Sequence, residues 1–123
     1  MQHHLSLEEE KQLVVLLAVS ELGGAAPKRR VLDHIDANGW LELDDRDREI
    51  MRSRNEARWR NDVAFTRHHL VLADHLSGFE RDRWAITPRG REALRVLADR
   101  ARKSSPKKLT LAALQRIESL PVR

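Results

Sequence analysis

Residues 58 to 69 read RWRNDVAFTRHH. At about 100° per residue, Trp59, Val63, Thr66, Leu70 and Ala73 form one stripe of a helix, flanked by Phe65, His69, Leu72 and Leu76. On the opposite side, over roughly 140° of the wheel, lie Arg60, Asn61, Ala64, Arg67, His68, Val71 and His75. Arginine and asparagine match the edges of guanine and adenine through two-point hydrogen bonding, and a side chain as small as Ala64 lets a helix approach the floor of a groove. The chemistry offered is base recognition in double-stranded DNA, with Arg60, Asn61, Ala64, Arg67 and His68 as candidate readers. A face charged only for solubility would mix signs. This one is cationic and amide-bearing, with Asp74 near its end as the acid.

Cations on the segments around this helix suit phosphate contacts, which orient a protein on a duplex without reading it. Arg52, Arg54 and Arg58 precede or open the helix, Arg81 and Arg83 follow it, and Lys28 and Arg29 begin an earlier helix together with Arg30. Three cations in a first helical turn run against the helix dipole unless an anion is near, which hints at a phosphate there.

Bond-breaking chemistry finds little support. Glu9, Glu10 and Lys11 form a Glu-x-Lys string like part of a nuclease motif, but on a helix with no acidic strand before it. There is no Gly-rich phosphate loop and no nucleophile paired with a base, so no catalytic residue is assigned. His68 and His69 point to different faces, His3 and His4 sit in the terminus, and no metal-ligand spacing exists, so neither a metal site nor a cofactor is expected. Trp59 and Trp84 fall on stripes the core requires. Trp40 is left as the one tryptophan open to an aromatic pocket for a modified base.

Several elements must position these residues. Ser6 and Glu9 have capping-box spacing and open a helix through Leu13, Leu16, Leu17 and Val19 to Gly23-Gly24. Pro27 starts a second helix, with Val31, Leu32 and Ile35 buried and Gly39 as its stop. Asp44 caps a short charged helix expected to contain Ile50 and Met51, and residues 52 to 57 read as a polar connection. After the helix from 58, Trp84 and Ile86 alternate with Arg83, Ala85 and Thr87 as in a half-buried strand, which pairs with residues near 75 to 77 around a basic tip. Thr87 caps a further helix with Pro88 at its first position and Ala93, Leu94, Val96 and Leu97 on its buried side. KSSPKK then links to a last helix, capped by Thr110 and bearing Leu111, Leu114, Ile117 and Leu120.

This order predicts a mainly α fold of the winged helix-turn-helix kind, a three-helix core plus a short β-hairpin wing, with an extra C-terminal helix. Residues 1–103 would form the DNA-binding domain, and 104–123 a linker and amphipathic helix free to pack back, pair with a second copy or dock on a partner. The 123 residues suit one domain, and a net charge of +4 hides a division. Residues 1 to 50 carry 6 basic and 11 acidic side chains, residues 51 to 123 carry 17 and 8, and 18 of the 23 cations are arginine. Such asymmetry points to a polyanionic partner. The lack of cysteine fits a reducing cytoplasm, and neither an export signal nor a membrane span is evident.

RWRNDVAFTRHHLVLADHL followed by RWAITPRGREAL resembles the N-terminal domain of Mrr-like restriction system proteins. The matching positions are Arg58, Trp59, Asn61, Val63, Ala64, Phe65 and Leu70 in the helix, then Trp84, Ile86, Thr87 and Gly90, within a likeness spanning about residues 10 to 100. Asp74 stands where the family usually ends the helix with glycine, and the family's nuclease domain does not follow. The resemblance implies a non-catalytic DNA-binding module tied to restriction or defence, with modified DNA among what it could sense and a nuclease domain or subunit as a further partner. Two alternatives remain open: a homodimeric transcriptional regulator joined through the C-terminal helix, and an adaptor docking an acidic protein on the basic face.

Overall fold

The computed structural model describes residues 4–121. Its pillar is α1 (Leu7–Glu21), in which every residue from Leu13 to Val19 is buried. A helix apolar all round must be enclosed, and α1 packs against the second, fourth and fifth helices described below. The capping box forms: the Ser6 hydroxyl accepts from the Glu9 N–H at 3.1 Å, and the Glu9 carboxylate accepts from the Ser6 N–H at 3.0 Å.

The chain then makes strand β1 (Ala25–Pro27) and helix α2 (Lys28–Asn38), which Gly39 ends in a left-handed conformation. Pro27 is thus the N-cap of α2 and the end of a strand, one residue earlier than its expected helical position. Helix α3 (Asp45–Arg48), capped by Asp44, is shorter than expected. Ile50 and Met51 lie outside it as strand β2 (Ile50–Met51), paired antiparallel with β3 (Glu56–Ala57). The supposed polar connection is therefore a hairpin. Its tip closes as the Asn55 N–H donates to the Met51 carbonyl at 2.7 Å.

Helix α4 (Arg58–Leu72) begins directly at that hairpin, and β4 (Leu76–Ser77) and β5 (Arg83–Ile86) form the second one. With β1 they make an antiparallel sheet in the order β1-β5-β4, Ala26 opposite Trp84 and Leu76 opposite Ile86. Helix α5 (Pro88–Arg102) follows, capped by Thr87 with Pro88 first, as its sequence predicts. Leu94, Leu97, Ala98 and Ala101 are its buried side chains, while Val96 stays 39% exposed. The fold is mainly helical with a small antiparallel sheet. Among the described residues, no helix is long and apolar enough to cross a membrane.

The step from Trp84 to Gly90 joins sheet to helix through backbone contacts. The Thr87 hydroxyl accepts from the Gly90 N–H at 2.9 Å and donates to the Asp74 carbonyl, while the Thr87 N–H donates to the His75 carbonyl at 3.1 Å. A Cβ on Gly90 would lie 2.0 Å from the His75 oxygen, so glycine is a condition of this approach. Asp74 adopts φ 60° and fills the left-handed position that glycine would otherwise take. Aspartate is among the few side chains that tolerate it.

Residues beyond α5 fold back on the chain. Glu10, fully buried, accepts from the N–H groups of Lys107 and Lys108 at 2.7 Å and of Leu109 at 3.2 Å. Leu109 bridges to Leu41, and helix α6 (Leu111–Glu118) buries Ala113 and Ile117. The Arg102 guanidinium donates to the Ile117 and Leu120 carbonyls at the far end of α6, at 2.9 and 3.0 Å.

Candidate nucleic-acid interface

Helix α4 buries Trp59, Val63, Thr66 and Leu70, the stripe its periodicity predicts. The flanks differ from expectation. Phe65 is 58% exposed and Leu72 73% exposed, so neither supports the core. The core contact of α4 is narrower than its apolar content suggests, and the axis opposite it carries Asn61, Phe65, His68 and Leu72. Their spacing of four, three and four residues is itself a helical stripe, a signal present in the sequence but read as core edge.

The five candidate readers separate into two groups. Asn61, Ala64 and His68 line one open depression together with Phe65, Lys28 and Arg54. Arg60 and Arg67 stand apart on the flank. The Arg60 guanidinium lies 2.8 Å from Asp33 and 3.6 Å from Asp36 of α2, with its side chain only 23% exposed. Arg67 turns to the second hairpin and donates to the Glu80 carbonyl at 3.0 Å. It braces the tip between β4 and β5.

The candidate phosphate contacts also divide. Lys28 pairs with Glu56 at 3.0 Å and Arg58 with Glu49 at 3.9 Å. Arg29 extends into solvent near Asp33, 4.0 Å away. These carboxylates relieve part of the charge conflict at the start of α2. By contrast Arg52 and Arg54, at the tip of the β2–β3 hairpin, and Arg81 and Arg83, on the β4–β5 hairpin, are exposed. Among the described residues, none of these four has an ion-pair partner. In the chain one hairpin leads into Arg58 and the other follows Leu72, and Lys28 links them in space, its N–H donating to the Asp82 carbonyl at 3.3 Å and its amine pairing with Glu56 at 3.0 Å.

Other candidate chemistry is absorbed by the architecture. Glu9 holds Arg100 at 2.6 Å, and that bond keeps its carboxyl below the usual carboxylate range. Glu10 grips the tail as described, so the Glu-x-Lys string ties elements together. Asp47 pairs with Lys108 at 2.9 Å, which lowers the acid and raises the amine. His75 is shifted down by burial and then by the nearby Arg89 charge. All three tryptophans are buried, Trp40 included. It sits edge-on to His34 at 5.3 Å with the Arg116 guanidinium 5.6 Å from its ring, so it offers no open stacking platform. Among the described residues, no cluster of three or more histidine or acidic side chains could hold a metal.

The domain is mainly helical with a three-stranded sheet, and both of its hairpins carry exposed arginines. The family model for the Mrr N-terminal domain matches residues 9–96, and the chain belongs to that family. The match takes in both hairpins and α4, and ends within α5. No curated protein and no solved structure matches the chain.

Proposed function

We propose that this chain is a winged-helix module that binds double-stranded DNA as the recognition part of a restriction or defence system, without cutting it. Helix α4 enters the major groove, and the hairpins that precede and follow it in the chain lie against the phosphate backbone. The β4–β5 hairpin is the wing. The observation that carries this reading is the distribution of unpaired charge. Lys28, Arg29, Arg58 and Arg60 on α2 and α4 face carboxylates and Arg67 a carbonyl, whereas Arg52, Arg54, Arg81 and Arg83, on the hairpins that precede and follow α4, are exposed without an ion-pair partner among the described residues. Leaving arginines unpaired on two short hairpins suits an external polyanion. Family membership supports the restriction setting, in which a nuclease domain or subunit supplies cleavage.

Fluorescence anisotropy of a labelled 24-base-pair duplex, titrated at several salt concentrations, tests it. Four phosphate contacts give a slope of log affinity on log salt of about −3.6. Absence of binding even at low salt overturns the proposal, and would direct attention to an acidic protein as the partner of the same face.

A further inference from the structure

The outward axis of α4 carries no free arginine. Arg60, on its flank, is held by two carboxylates of α2, and Arg67 is bound to the wing backbone. Bidentate contact to guanine, the commonest specific arginine contact in the major groove, would require either to abandon its partners. What remains on the axis is an amide, an exposed phenyl ring, an imidazole and an exposed aliphatic side chain, in the order Asn61, Phe65, His68, Leu72. Asparagine pairs bidentately with the N6 and N7 edge of adenine, and apolar groups pack against the C5-methyl group of thymine. The depression beside Ala64 places Asn61 and Phe65 on one wall system, with Arg54 beside them for a neighbouring phosphate and Lys28, held by Glu56, at its edge.

We propose that α4 selects A·T base pairs in the major groove, Asn61 taking the adenine edge and Phe65 the thymine methyl group, with Arg60 and Arg67 acting as struts that set the pose of the helix and the wing. The inference rests on the DNA-binding reading above and specifies what that surface distinguishes. Arg54, by contrast, lies on a hairpin tip at the edge of the depression, where it serves every sequence alike.

The test uses the full chain and duplexes of constant flanks whose central eight base pairs are either A·T-rich or G·C-rich. Two chemical probes follow: thymine replaced by deoxyuridine, which removes only the methyl group, and adenine replaced by 7-deazaadenine, which removes the N7 acceptor. The wild-type chain is expected to prefer the A·T-rich centre by about tenfold, and to lose part of that preference with each probe. Phe65→Ala abolishes the sensitivity to deoxyuridine while keeping the response to 7-deazaadenine, and Asn61→Ala does the reverse. Both positions are on the exposed side of the helix, and thermal unfolding checks that the variants fold. Arg60→Ala, which removes a strut and no base contact, lowers affinity for both centres alike and keeps their ratio. Equal binding of A·T and G·C centres, a G·C preference, or indifference to both probes overturns the inference while DNA binding stands. Failure to bind any duplex at low salt removes the DNA-binding reading itself. A preference that survives both probes would place the discrimination in minor-groove shape, and would overturn the roles given to Asn61 and Phe65.

Discussion

The side of the molecule where the tail is docked and the side that presents α4 treat charge in opposite ways. Around α1 and the tail, acids find partners. Glu9 meets Arg100, Glu10 meets three N–H groups, Asp47 meets Lys108, and Glu21 meets both Arg116 and His34. On the hairpins Arg52, Arg54, Arg81 and Arg83 meet no acid among the described residues. Charge satisfied inside a chain holds elements together, and charge left unsatisfied at its surface is available to another molecule. The difference separates residues that build the domain from residues it offers outward.

That separation can be broken by substitution, starting where the largest change is expected. Glu10→Ala leaves three amides of the tail without their acceptor and should lower stability by about 3 kcal/mol in denaturant unfolding. Hydrogen exchange at Lys107, Lys108 and Leu109 should quicken. DNA affinity of the folded variant should be preserved, and its collapse would show that the two sides are coupled. Arg52→Ala with Arg54→Ala should do the converse. Two phosphate contacts fewer reduce the salt slope by about 1.8 units, with thermal stability unmoved.

Arg60→Ala sharpens the contrast, because this arginine lies on α4 but is paired like those on the far side. It should cost less than about 1 kcal/mol of stability, the ordinary worth of a partly exposed ion pair, and leave base preference intact. The smallest effect is expected for Glu9→Gln, also below about 1 kcal/mol. Arg100 lowers the Glu9 pKa in the folded chain, so the pair stabilises above the ordinary value of 4.5 and loses its contribution as pH falls through the depressed folded value. Wild type and variant should therefore converge in acid. Urea unfolding at pH 7 and at progressively lower pH measures the convergence.

Much of the framework is legible because it is local. Ser6 with Glu9, Thr87 with Pro88, and Gly39 all announce helix ends within a few residues of themselves, and the structure places ends there. Strands β1, β2 and β3 are less legible, since two or three residues become a strand only through a partner. Ala25 to Pro27 acquires that status from β5, far along the sequence, and a proline at the strand end disguises it further. Ile50 and Met51 follow a capped charged helix without a Gly or Pro to stop it, but the turn around Asn55, at φ 49°, folds them against Glu56 and Ala57.

The candidate interface is legible by residue type more than by orientation. Periodicity locates the buried stripe of α4, yet says nothing of how wide the neighbouring elements are, so Phe65 and Leu72 read as core. Nor does it show that Asp33 and Asp36, on another helix, come within reach of Arg60. The role of Glu10 was hidden for a similar reason. A lone acid among three on a first helical turn looks solvated until the segment from 107 to 109 closes over it.

The way Glu10 holds that segment also bears on how the tail can change over evolutionary time. Its carboxylate grips main-chain amides, so the grip does not depend on which side chains follow Pro106. Changes of side chain at residues 107 to 109 leave that grip in place, and cost only what Lys107 gives to the Leu5 carbonyl, Lys108 to Asp47 and Leu109 to the core. Proline is the exception, because it has no amide hydrogen to give. One tie of the C-terminal helix is thus inherited through an acid on α1, beside those of Arg102 and Arg116, and a mutation there would loosen a helix whose own sequence had not altered.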